Sequence, residues 1–334
     1  MDSEHVRAVG FPSYADLQDR EGSARGTAWG VFGADDQLGT LNHLTQDRVR
    51  DAAALVREGR TFNLNLRLDA FDPPLIAHRG SIDHHVFGLN AFHRDERIDN
   101  LFTQASTQID GLRHFAHPDH GFYNGFPGGD LVAGTDGLGM QNVAEKGIVG
   151  RGLLIDVARY REHIGRPIDQ DSNEQIPVSE IEDAAAWQEA VIDPGDILLL
   201  RFGWLAHVRR PGFIRRHPLE SPGLAQRDET AAWLWDHRIA MVAADNIALE
   251  AWPATGSALT TEAEESGQLE RSSHSGMLHR ILIPLLGLTI GELWDLDALA
   301  GECAERGRYE FLLVAEPLNL TGGVGSPANA LAIL

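Results

Sequence analysis

Four short, unbroken apolar runs limit what this chain can fold into. They are Gly152-Leu-Leu-Ile-Asp-Val157, Asp196-Ile-Leu-Leu-Leu-Arg-Phe202, Ile239-Ala-Met-Val-Ala-Ala244 and Glu310-Phe-Leu-Leu-Val-Ala315. Each is too short for a core helix and too apolar for a strand with one wet face. Each therefore reads as a strand buried in the middle of a sheet. Helical segments fall between them without strict alternation. Thr45 caps a helix expected over Asp47 to Glu58, Ser179 and Glu182 form a capping-box pattern, and Thr230 to His237 reads as a third helix. Gly276 to Leu286 reads as a fourth, bent or ended by Pro284. Phe62-Asn-Leu-Asn-Leu-Arg-Leu68 alternates as a half-buried strand does, whereas residues 70–98, with Pro73-Pro74, read as loop. The expected class is α/β with a mixed central sheet. No repeat or low-complexity linker divides the 334 residues, so one domain is expected, preceded by an irregular arm over about residues 1–40.

Charge excludes some partners. The formal net charge of −21 would repel a phosphate backbone, which argues against nucleic acid. Cys303 is the single cysteine, so no intrachain disulfide holds the fold together. The N-terminus lacks a signal-peptide pattern and no run of eighteen apolar residues occurs, so a cytoplasmic protein away from membranes is the expectation. Lys146 is the only lysine.

Polar chemistry concentrates in one window, Gln104 to Asn124, which holds Gln104, Gln108, Asp110, His114, His117 and His120. Asp110 and His114 are metal-ligand types at a spacing that brings both onto one cation where a strand ends in a turn. Alone, the window also fits a polar surface loop. A second concentration, His274-Ser-Gly-Met-Leu-His279, precedes Glu292; the two segments meet if the intervening turn folds back, and otherwise are surface. Asp245 and Asn246 follow a core strand, where polar residues either face a site or cap a turn. The glycines of Gly322-Gly-Val-Gly-Ser-Pro327 permit close backbone approach, but no following Lys and helix make a phosphate loop. No G-x-S-x-G elbow and no G-x-G-x-x-G after a strand occurs.

Taken together, these segments resemble the metal-dependent cyclase family, which includes bacterial kynurenine formamidase, isatin hydrolase and trans-dienelactone hydrolase. The family signature, H-x-G-T-H-x-D-x-x-x-H, aligns with Gln104-Ala-Ser-Thr-Gln108-Ile-Asp110-Gly-Leu-Arg-His114. Thr107, Asp110 and His114 are kept, and glutamines replace both early histidines. Gly33 to Thr45, Gly195 to Trp204, Ala244-Asp-Asn246 and the glycine segment resemble other family blocks, and His279 and Glu292 match its late ligands. The resemblance implies the swivelling β/β/α fold, usually as a homodimer or higher oligomer. It also implies hydrolysis of a lactone, cyclic amide or formamide of a small, aromatic or cyclic substrate by metal-activated water. Ring-forming or isomerising chemistry in natural-product biosynthesis, or a binder whose metal site has decayed, are the alternatives.

The resemblance further implies a ligand set. An amide oxygen is a weaker ligand than imidazole, so one divalent ion, zinc or manganese, is expected rather than two. Asp110, His114, His279 and Glu292 would hold it, with Gln108 as an occasional ligand or a hydrogen-bonder to substrate. Asp110, His114 and Glu292 are the catalytic candidates, and Gln104, Tyr123, Phe126 and Trp29 the substrate-binding ones.

Overall fold

The computed structural model describes residues 10–254, 259–272 and 274–334; the first nine residues of the expected arm lie outside these. Its strands are β1 (Thr61–Asn63), β2 (Asp83–Asn90), β3 (His93–Asp99), β4 (Gln108–Asp110), β5 (Ile148–Asp156), β6 (Gln175–Ile176) and β7 (Ile197–Arg201). They continue as β8 (Gly223–Leu224), β9 (Met241–Ala244), β10 (Thr289–Glu292), β11 (Glu310–Ala315), β12 (Gly325–Pro327) and β13 (Ala330–Ile333). Nine of them form one sheet in the order β1-β13-β11-β5-β7-β9-β10-β4-β12. The four apolar runs become β5, β7, β9 and β11, all central. β5, β7, β9 and β10 run parallel, and the flanking pairs run antiparallel. The sheet is thus mixed, as expected.

Burial explains that placement. Ile197, Leu198, Leu199 and Leu200 are all fully buried, so both faces of β7 are covered. Each such side chain contributes about 1.5–3 kcal/mol by leaving water. Helices Gln46–Ala53 and Val178–Trp187 both pack on β5, and the latter also touches helix Asp228–Asp236. No helix among the described residues is long and apolar enough to cross a membrane.

Several local expectations are corrected. Most of the β2–β3 hairpin falls within residues 70–98, which read as loop; it pairs Asp83 opposite Asp99. Almost every residue of it is exposed, so no apolar alternation marked it. The strand expected over Phe62 to Leu68 ends at Asn63. Beyond it the Asn65 side chain replaces the ladder, its Nδ2 donating to Ala330 O at 2.8 Å and its Oδ1 accepting from Ala330 N at 2.9 Å. The helix after Thr45 stops at Ala53, and Ser179 lies inside a helix whose N-cap is Pro177. Of Gly276 to Leu286 only His279–Leu282 is regular α-helix, since Pro284 has no N–H to extend it. The arm is less irregular than expected: Tyr14–Gln18 is a helix with a Ser13/Asp16 capping box, and Trp29 Nε1 donates to Pro284 O at 2.8 Å.

Candidate metal centre

The site begins with the period of two along β4. Ile109 points into the core and is fully buried, so Gln108 and Asp110 share the opposite face. The antiparallel register sets Gln108 across from Glu292 and Asp110 across from Ile290. Three residues are therefore aimed at one spot by two paired strands. The partner on the other side of β4 is Gly325, opposite Asp110; a Cβ there would stand 2.9 Å from the Gln104 side chain. Glycine at 325 is thus what lets Gln104 lie against Asp110. Thr107 locks the strand's entry, accepting from Leu66 N at 2.9 Å and donating to Leu293 O at 2.5 Å.

After Asp110 the chain turns sharply, with His114 N donating to Gly111 O at 2.9 Å. This turn brings His114 Nε2 to 3.9 Å from Asp110 Oδ2. His279 arrives from the short helix before β10. Its Nε2 is 3.1 Å from Glu292 Oε1 and 3.7 Å from Asp110 Oδ2. The fold-back expected from the sequence therefore exists.

Glu250 fixes the orientation of His279. Its buried carboxylate accepts from Leu278 N at 2.6 Å and His279 N at 3.1 Å, and lies 2.6 Å from His279 Nδ1. A carboxylate on Nδ1 selects the tautomer with its proton there. When a cation displaces the proton on Nε2, that atom's lone pair faces Asp110 and Glu292, the arrangement in which histidine ligates metals.

The electrostatics show what this cluster lacks. Burial pushes the Asp110 carboxyl up, but His114, His279 and the Gln104 amide outweigh it and hold it below the usual carboxylate range. Burial and the charge of Asp110 push Glu292 well above that range. Burial opposes the charged form of His279, yet the carboxylates of Asp110, Glu250 and Glu292 around it raise it well above an ordinary histidine. Three buried carboxylates thus converge on one imidazole. Asp110 Oδ2, fully buried, has no hydrogen-bond partner among the described residues. A buried charge is costly unless closely paired, and the imidazoles of His279 and His114 approach this oxygen only to 3.7 and 3.9 Å.

Ligand atoms of Asp110, His279 and Glu292 all lie within 4.8 Å of one another. Two carboxylate oxygens and one imidazole suit zinc or manganese, so the residues fit the expected ion. A second trio of ligand types, Asp83, His85 and Asp99, sits on the exposed hairpin, where water screens its charges.

The two glutamines point their donors at the acids. Gln104 Nε2 donates to Asp110 Oδ1, and Gln108 Nε2 to Glu292 Oε2. Gln108 Oε1 faces the Arg79 guanidinium at 3.4 Å. This corrects the expectation of Gln108 as an occasional ligand: its oxygen is turned from the ion's position because an oxygen facing Glu292 would be repelled. Gln104 likewise steadies Asp110 and does not line the cleft.

That cleft holds about 550 Å³ and opens over His279 and Glu292. Phe115, Ile247, Trp252 and Met277 form its apolar wall, with Arg79, His114, His274 and Arg280 at its polar edges. The expected aromatic residues stand elsewhere, a second correction. Tyr123 is fully buried with its OH donating to Asp36 at 2.9 Å, Trp29 packs on His120, and Phe126 crowds Gly137. Asp245 and Asn246 prove to be turn braces: Asp245 accepts from Phe202 N and Gly203 N at 2.7 and 2.8 Å, and Asn246 Nδ2 donates to Pro222 O at 2.7 Å.

The family model described as "Putative cyclase" matches residues 54–251. The chain belongs to the cyclase family. A crystal structure described as a novel cyclase is 33% identical, with a TM-score of 0.75, covering 92% of this chain and 99% of its own. Isatin hydrolase A from Labrenzia aggregata, bound to benzyl benzoate, is 17% identical with a TM-score of 0.56, covering 88% and 98%. An isatin hydrolase bound to the product analogue thioisatinate is also 17% identical, with a TM-score of 0.55, covering 83% and 93%. A comparison with curated protein sequences finds no match. The shared architecture is the expected swivelling β/β/α fold.

Within this cyclase-family chain, sequence reasoning missed Glu250, Arg79, Phe115 and Trp252. Glu250 ends the segment that begins Asp245-Asn246, and a lone acid in that apolar stretch was its only signal. Arg79 carries none, because it reaches the site from a proline-rich loop 25 residues from its backbone acceptor on Gln104.

Proposed function

We propose that the protein is a metal-dependent hydrolase that opens a lactone, cyclic amide or formamide of a small aromatic or cyclic molecule. The observation that carries this is the fully buried Asp110 Oδ2, without a hydrogen bond among the described residues, facing His279 Nε2 at 3.7 Å beside Glu292. Asp110, His279 and Glu292 hold one zinc or manganese ion, with His114 at the edge of the set. A bound ion supplies a Lewis acid that acidifies water and polarises a carbonyl. Everything else falls to the chain. Burial lowers the pKa of His114 despite Asp110, so the ring is unprotonated near neutral pH, and its Nε2, 3.3 Å from Gln104 Nε2, can take a proton when that amide gives way. His114 then returns that proton to the leaving nitrogen or oxygen. Phe115 and Trp252 hold a flat ring against the cleft wall, and Glu250 keeps His279 aimed. The isatin hydrolases of similar fold act in their own names on such a ring. The chain works on small molecules as a homodimer or higher oligomer in the cytoplasm.

Elemental analysis of the purified protein, followed by Asp110→Ala and His279→Ala, tests this. Near-stoichiometric zinc or manganese is expected. Both variants should lose it, along with at least 100-fold of activity on a panel of isatin, aromatic lactones and formamides. A metal-free wild type, or variants that keep full activity, would overturn the proposal.

A further inference from the structure

The polar lining of the cleft runs against the charge of the whole molecule. On a chain of net charge −21, two guanidinium groups, Arg79 and Arg280, reach the cleft beside neutral His114 and His274, and among the described lining residues the one carboxylate is Glu292. Arg280 is held by Glu264, Nη1 to Oε1 at 2.5 Å. Arg79 is held differently. Its Nη1 donates to Gln104 O and approaches Gln108 Oε1, while Nε and Nη2 make no hydrogen bond among the described residues. The charges that balance it are those of Glu292 and Asp110. Those are the acids assigned to the ion, so ion binding takes away Arg79's counter-charge and leaves its open N–H groups in the cleft.

A guanidinium with unused parallel donors is the side chain best shaped to take a carboxylate through two hydrogen bonds. The apolar wall formed by Phe115, Ile247, Trp252 and Met277 suits a ring beside it. We infer that Arg79 binds the carboxylate that hydrolysis leaves on an aromatic body. The substrate class narrows accordingly to cyclic amides or lactones fused to, or borne by, an aromatic ring. In the balanced step, water's oxygen enters the new carboxylate and the ring C–N or C–O bond breaks. One water proton passes to the leaving nitrogen or oxygen, and the other is released. Deformylation, in contrast, sends the carboxylate it creates away as free formate, so the new acid is not on the aromatic body. This inference rests on the hydrolase reading above.

The test uses benzoate and its neutral isostere benzamide, with binding to the metal-loaded protein measured by calorimetry and metal content measured in parallel. Wild type should bind benzoate at least tenfold tighter than benzamide. Arg79→Gln should lose that preference with its bound ion unchanged. Arg79→Lys, which keeps the charge and loses the paired donors, should lose threefold or more of it and decides the matter if the Gln variant does not fold. A preference unchanged in the variants, or absent from a wild type that carries metal, overturns the role of Arg79. A wild type that holds no metal overturns instead the hydrolase reading beneath it.

Discussion

At the scale of single residues, the centre depends on a carboxylate that touches no proposed substrate. Glu250 accepts from two backbone N–H groups and from the His279 ring, so its two oxygens are fully engaged. Glu250→Gln keeps the shape but sets an amide N–H against one of those donors. The expected result is a 10- to 100-fold loss of metal affinity, measured by competition with a chromophoric chelator. An affinity within twofold of wild type would show that His279 is aimed by packing alone. The members of the buried cluster were legible in the sequence, because Asp110, His114, His279 and Glu292 are of types and spacings that chemistry restricts. Gln108, Trp29, Tyr123 and Phe126 were not. Which way an amide turns, and whether a ring packs or lines a cleft, depends on neighbours such as Arg79 and Asp36 that lie far away in the chain.

At the scale of elements, the meeting of β4 and β10 does the positioning. Gly291 lies between Ile290 and Glu292 and faces the other side of the sheet. A Cβ there would come within 2.5 Å of Trp294 Nε1 and 2.7 Å of Ala243 Cβ. That crowding occurs in a well-packed region, and the Trp294 indole also donates to Gln108 O at 3.0 Å. Gly291→Ala should therefore cost about 1–3 kcal/mol in denaturant unfolding. It should also lower activity by moving Glu292 relative to Gln108. A variant of wild-type stability would mean that the Trp294 ring can swing aside. The four core strands were readable from their apolar runs because both their faces are buried. The hairpin at 83–99 was not, since a strand pair in water on nearly all sides carries no alternating pattern. β4, only three residues long, is defined by its partners and not by any local propensity.

At the scale of the molecule, the centre should be tied to the stability of the fold. An ion that binds only the folded chain stabilises it by mass action, about 2.7 kcal/mol at 100 times its dissociation constant. For a chain of this length that raises Tm by about 4 °C. Chelation followed by calorimetry should show a drop of that size, reversed by added zinc or manganese. No change would place the buried acids in a network that needs no ion. The order of the sheet has a separate consequence, for the timing of folding. β4 carries Asp110 at residue 110, yet its two neighbours are β10, ending at Glu292, and β12, ending at Pro327. On a ribosome, more than 200 residues are made between the first ligand and the last strand that flanks it. Pairings so distant in sequence form slowly. Throughout that interval, the acid at the heart of the site waits on a strand with nothing beside it.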